Sequence, residues 1–113
     1  MTRRARIGMV NYGIGNVGSV LGAFDFCGCP ARLVHRPSEL ASIDAIVLCG
    51  VGHFSMAASR LEASGFRRPL RDQVLTRKKP VLGICLGMQL FADLGHEGGR
   101  TRGLGWIPGE VRR

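Results

Sequence analysis

The chain has 113 residues, 45% of them hydrophobic, which allows one domain with a modest core and excludes a disordered segment. Its 16 Lys and Arg against 8 Asp and Glu give a net charge of +8. The basic residues lie in separated runs (Arg3, Arg4 and Arg6; Arg67, Arg68 and Arg71; Arg77, Lys78 and Lys79; Arg112 and Arg113), with no interleaved aromatics and no recognition-helix pattern. That argues for solvated surface rather than a nucleic-acid interface, with a phosphorylated ligand or an acidic partner surface as the other use of the charge.

No run approaches the roughly 18 apolar residues of a membrane span, and residues 1–15 lack a signal-peptide core. Cys27, Cys29, Cys49 and Cys85 form no C-x-x-C pair, and with three scattered histidines they lack the spacing of a zinc site. The composition therefore predicts a cytoplasmic protein with reduced thiols, no metal, no cofactor and no membrane partner.

Arg6–Tyr12 reads as a first strand, followed by a glycine turn at Gly13-Ile14-Gly15-Asn16. Val17, Val20, Leu21 and Phe24 then fall on one helical face, and Gly28 with Pro30 is a stop signal. Gly13-x-Gly15-x-x-Gly18 has no acidic residue at the end of a second strand, where Arg36 stands instead, so it is a tight βα turn and not a dinucleotide site. Ala31–His35 reads as a short second strand, and Pro37–Leu40 as a brief helical turn. Asp44–Cys49 is a third strand, apolar almost throughout, as a strand covered on both faces should be. Gly50-Val51-Gly52 breaks it. Phe54, Ala57, Ala58 and Leu61 mark a further helical face ending near Gly65, and Pro69, Leu70, Val74 and Leu75 another, with basic residues at its end. Strands alternating with helices predict a parallel α/β sheet in three layers, with right-handed crossovers and the ligand site at the carboxyl ends of the strands.

The fourth strand opens at Pro80 and leads into the stretch from Val81 to Phe91. Val81, Leu82 and Ile84 suit a buried strand, Cys85 stands between Gly83 and Gly87, and Leu86, Leu90, Phe91 and Leu94 recur at helical spacing. Strand, sharp turn and helix with a reactive residue at the turn is the pattern of a nucleophile elbow. Cys85 would stand at a helix N-terminus with the Leu86 amide facing any oxyanion formed there. If the third and fourth strands are neighbours, the Gly50–Gly52 loop faces Cys85 and adds a second oxyanion donor. After Leu94, residues 95–103 read as a polar, glycine-rich loop, and 104–113 as the start of an exposed hairpin without a partner.

Gly83-Ile84-Cys85-Leu86-Gly87-Met88-Gln89 resembles the nucleophile motif of class I, triad-type glutamine amidotransferases, which have a flavodoxin-like fold. Val10-Asn11-Tyr12-Gly13-Ile14-Gly15-Asn16, Gly50-Val51-Gly52 with Phe54, and Gly103-Leu104-Gly105-Trp106-Ile107-Pro108-Gly109 resemble, in the same order, the glutaminase subunit of imidazole glycerol phosphate synthase. The resemblance implies that Cys85 attacks the side-chain amide of glutamine, releasing ammonia and leaving a glutamyl thioester for water to cleave. Gly52 and Leu86 would lend N–H groups to the oxyanion, and Gly50, Val51 and Gln89 would line the glutamine site. The ammonia would pass to a (β/α)₈ cyclase subunit in a heterodimer serving histidine biosynthesis.

Two departures stand out. Cys49 occupies the position where the family usually has proline, which predicts a looser oxyanion loop and raises the hypothesis of an inactivating Cys49–Cys85 disulfide. The family's catalytic histidine and glutamate belong to a later segment that nothing here matches; His35, His53 and His96 do not occupy it. Residues 1–113 thus read as the N-terminal portion of the domain, incomplete at the C-terminus, and the alternative reading is a non-catalytic remnant acting as a docking module. An unassisted thiol with a pKa of about 8.5 is mostly protonated at neutral pH, so little glutaminase activity is expected of these residues alone.

Overall fold

A computed structural model gives the fold of residues 4–112; Arg3 and Arg113 of the basic runs lie outside the described residues. Strands β1 (Ile7–Val10), β2 (Ala31–Val34), β3 (Ala45–Gly50) and β4 (Val81–Cys85) form a parallel sheet in the order β2-β1-β3-β4. Between them run α1 (Val17–Phe26), a 3-10 turn (Pro37–Ser42), α2 (Phe54–Ala63), and α3 (Arg67–Arg71), which continues as a π-helical turn through Asp72–Thr76.

Alternation along β3 explains why the middle of the sheet is covered on both faces; β4 is not the buried strand expected, since it stands last in the sheet order and Leu82 is exposed. Ile46 and Leu48 join the core with Phe54, Ala57 and Leu61 of α2 and Leu70 of α3. Val47 and Cys49 turn the other way, with Met9, toward Val17, Val20, Leu21 and Phe24 of α1. The helical faces seen in the sequence for α1 and α2 are the faces that pack. Of the third, Leu70 and Val74 pack, whereas Leu75 is exposed and Gln73 is buried, because the turn after Arg71 is π-helical and shifts the period. The stop signals also hold, for α1 gives way to Gly28 at φ 74° and α2 to Gly65 at φ 79°.

The chain beyond Cys85 departs from expectation. Only Leu86–Gln89 are helical (α4), so the apolar spacing that carried the predicted helix on to Leu94 is misleading. Ala92–Gly95 is a strand (β5), paired antiparallel with Thr101–Arg102 (β6) and parallel with Ile107–Val111 (β7), making a second sheet in the order β6-β5-β7. The loop expected over 95–103 therefore contains a strand, and the chain reverses between β5 and β6. The alternating stretch from Leu104 is not unpaired, since β7 lies beside β5.

The carbonyls that a longer helix would have used explain the change. Leu90 O accepts from Leu104 N at 2.7 Å, Phe91 O from Trp106 N and Ile107 N at 2.9 Å, and Ala92 O from Gly105 N at 3.1 Å. Trp106 then covers Phe91, with ring centroids 5.1 Å apart.

Candidate active site at the end of β4

Cys85 ends β4 and is the N-cap of α4, with φ 55° and ψ −125°. Of the described non-glycine residues, only Lys78 and Cys85 have positive φ. Such a conformation costs of order 1–3 kcal/mol and persists only where its surroundings impose it. The surroundings here are two contacts that leave no room for a side chain. A Cβ on Gly83 would lie 2.5 Å from the Met88 Cα, and one on Gly87 would lie 2.0 Å from the Leu48 carbonyl oxygen. Gly83 lets α4 fold back on β4, and Gly87 lets α4 press against β3. The bend itself falls on Cys85, whose thiol is free and exposed.

The β3–β4 register sets Gly50 opposite Cys85. The third and fourth strands are therefore neighbours, and the glycine loop begins beside the elbow. A Cβ at Gly50 would meet the Tyr12 hydroxyl at 2.8 Å and the Gly87 nitrogen at 3.2 Å, so this residue is the contact between β3, the turn after β1 and α4. Beyond it, Val51 is exposed, and Gly52 turns at φ 94° into α2. Leu86 is the first residue of α4, one of the first-turn amides that a helix leaves without an intrahelical partner. Gln89, the last residue of α4, lines a depression of about 380 Å³ with Met88, Ile107 and Glu110, which Cys85 and Gly50–Gly52 do not border.

Cys49 is buried, and its Sγ lies 3.7 Å from the Met9 Sδ in the α1 layer. Burial pushes its thiol pKa up, with the neighbouring Cys85 adding to the rise. Both thiols are free. Where proline would have stiffened the loop, the buried Tyr12 hydroxyl donates to the Cys49 carbonyl at 2.7 Å. Burial also holds the Tyr12 pKa well above the ordinary tyrosine range, so it stays a donor. Gly15, at φ 117°, brings the first glycine turn against the same cysteine, within 3.0 Å of its Sγ on adding a Cβ.

Each of the three histidines is placed by a contact or element other than the thiol. His35 Nδ1 pairs with the Asn11 side-chain nitrogen at 3.3 Å, His96 Nε2 approaches Glu110 at 3.6 Å, and His53 is the exposed N-cap of α2. Among the described residues none of the three hydrogen-bonds to Cys85, and no group of three or more His, Cys, Asp or Glu could hold a metal ion. No helix there is long and apolar enough to cross a membrane.

Sequence reasoning passed over Tyr12 as a support of the loop, and it passed over Glu97. Glu97 Oε1 accepts from the Phe54 amide at 3.3 Å, tying the second sheet to the start of α2 just after Gly52. Only the approach of β5 to α2 reveals this, although an acidic residue in a loop of glycines was a visible signal.

A family model for the SNO glutamine amidotransferase family matches residues 14–113. The chain belongs to that family. A Campylobacter jejuni protein named imidazole glycerol phosphate synthase subunit HisH 1 is 47% identical over 105 residues, covering 93% of this chain and 52% of that protein. A Desulfitobacterium hafniense subunit HisH is 44% identical over 107 residues, covering 95% of this chain and 50% of its own length. The chain thus spans about half the length of the curated relatives it matches. A crystal structure of glutamine amidotransferase superposes with a TM-score of 0.76 at 17% identity, over 92% of this chain and 54% of the other, and supports the three-layer α/β fold.

Proposed function

We propose that this chain is the nucleophile-bearing, N-terminal portion of a glutaminase subunit that supplies ammonia for imidazole glycerol phosphate synthesis in histidine biosynthesis. The observation that carries the reading is the strained Cys85, held at φ 55° opposite Gly50 where the glycine loop begins. Cys85 attacks the carboxamide carbon of glutamine, ammonia leaves, and water hydrolyses the thioester to glutamate. The amides of Gly52 and Leu86 take the oxyanion, while Gly50, Val51 and Gln89 border the substrate. The partner is a cyclase subunit with a (β/α)₈ barrel, in a cytoplasmic heterodimer.

A diazo-ketone analogue of glutamine tests the reading. Peptide mapping is expected to find Cys85 alkylated, with protection by glutamine and little steady-state ammonia release from the chain alone. Absence of glutamine-protected labelling would favour the alternative, a non-catalytic docking module. Ammonia release that is lost in Cys85→Ala and retained in His53→Ala would show that a base is not lacking.

A further inference from the structure

The arginines that look scattered in the sequence converge around Arg67. Three adjoining surface depressions of about 360, 490 and 430 Å³ share this residue as a wall. Arg68 and Arg71 of α3 line the first, and Arg100 and Arg102 beside β6 line the second. Arg67 itself is spent on structure, donating to the Gly103 carbonyl at 2.6 Å and lying 3.7 Å from Glu62. Asp93, the other carboxylate there, accepts from the Gly109 amide at 3.1 Å. Among the described residues, Arg68, Arg71, Arg100 and Arg102 have no ion-pair partner. Neither Cys85 nor Gly50–Gly52 borders any of the three depressions.

We propose that this arginine groove, running from α3 to β6, is a docking surface for a protein partner carrying a cluster of Asp and Glu side chains. Three adjoining open hollows that share Arg67 as a wall fit a broad partner surface better than one small ligand. Arginine forks match carboxylates in pairs, with two parallel hydrogen bonds each. No aromatic residue lines the groove, so it offers single-stranded nucleic acid nothing to stack on. Glu62 and Asp93 inside it oppose a uniformly negative phosphate backbone but tolerate a protein surface of mixed charge. The groove lies apart from Cys85 and does not rest on the glutaminase reading.

Fluorescence anisotropy of the whole chain with a labelled oligoglutamate peptide tests this, beside a duplex oligonucleotide and inorganic phosphate as competitors. The double reversal Arg100→Glu with Arg102→Glu is expected to weaken peptide binding at least about tenfold, since charge-assisted bonds are lost. A double reversal of Arg77 and Lys78, basic but outside the groove, is expected to leave it within about twofold, the range of general charge screening. Arg100→Lys with Arg102→Lys, which keeps the charge and removes the forks, is expected to fall between them. Circular dichroism checks that each variant folds. Equal losses from both double reversals, tighter binding of the duplex, full displacement by phosphate, or no peptide binding would each overturn the proposal.

Discussion

The parallel sheet and the small second sheet meet at α4, and they were built by different means. Up to Cys85, each element follows from local pattern: alternating or continuous apolar runs give strands, apolar faces give helices, and glycines end them. Beyond Gln89 the local pattern points to a helix and the chain forms a strand. The second sheet depends on partners more distant in the chain. Gly95 packs under Phe54, where a Cβ would fall 2.3 Å from the ring, and Gly103 packs against Ala92, where a Cβ would fall 2.1 Å from its carbonyl. A periodicity of four residues is therefore good testimony only while nothing else competes for the same carbonyls.

The largest expected effect sits on the first side of that boundary. Gly87→Ala must drive α4 away from the Leu48 carbonyl, with backbone on both sides of the clash, and should cost about 3 kcal/mol or more in urea unfolding. A cost under about 1 kcal/mol would mean that the elbow is not wedged against β3 as described. Across the boundary, Gly95→Ala presses on the fully buried Phe54 ring, a side chain rather than backbone, so about 2 kcal/mol is expected. If Gly95→Ala proves the costlier of the two, the second sheet rather than the elbow is the rigid part.

Tyr12→Phe leaves the Cys49 carbonyl without its donor and should lower stability by about 1–2 kcal/mol. It should also slow labelling of Cys85 by the diazo-ketone, because the glycine loop loses its tether. Unchanged labelling would show that the β3–β4 ladder alone holds the loop. Cys85→Gly goes in the opposite direction. Glycine adopts φ 55° without strain, so the variant should be about 1 kcal/mol more stable in the same urea series while losing all labelling. A destabilised Cys85→Gly would remove the claim that the elbow stores strain.

The smallest effect concerns the far end of the parallel sheet. Glu39 takes the amides of Arg36 at 2.9 Å and His35 at 3.0 Å, and the Arg36 amide is the main reason its pKa lies below the ordinary carboxylate value of 4.5. A lowered carboxylate pKa contributes stability that is present above the unfolded value and lost as pH falls through the folded one. Acidification from pH 5 to about pH 3 should therefore destabilise the chain slightly more than it does Glu39→Gln, a small difference in slope that thermal melts can follow. Identical pH slopes for the two proteins would show that the capping contact contributes nothing.

What the sequence by itself determined was local. The order of strands and helices up to Cys85, the cysteine between two glycines, and the glycine loop after β3 were all legible, because each is a short-range pattern of size, polarity and backbone freedom. The pairing of β3 with β4 was foreseen only as a condition, and the register that sets Gly50 opposite Cys85 required the folded chain. The same holds for the second sheet, for Tyr12 and Glu97 as supports of the loop, and for the gathering of Arg67, Arg68, Arg71, Arg100 and Arg102 into one groove. These features join residues that are remote in the chain. They depend on which carbonyl, ring or charge is nearest after packing, and the sequence pattern carries no record of that distance.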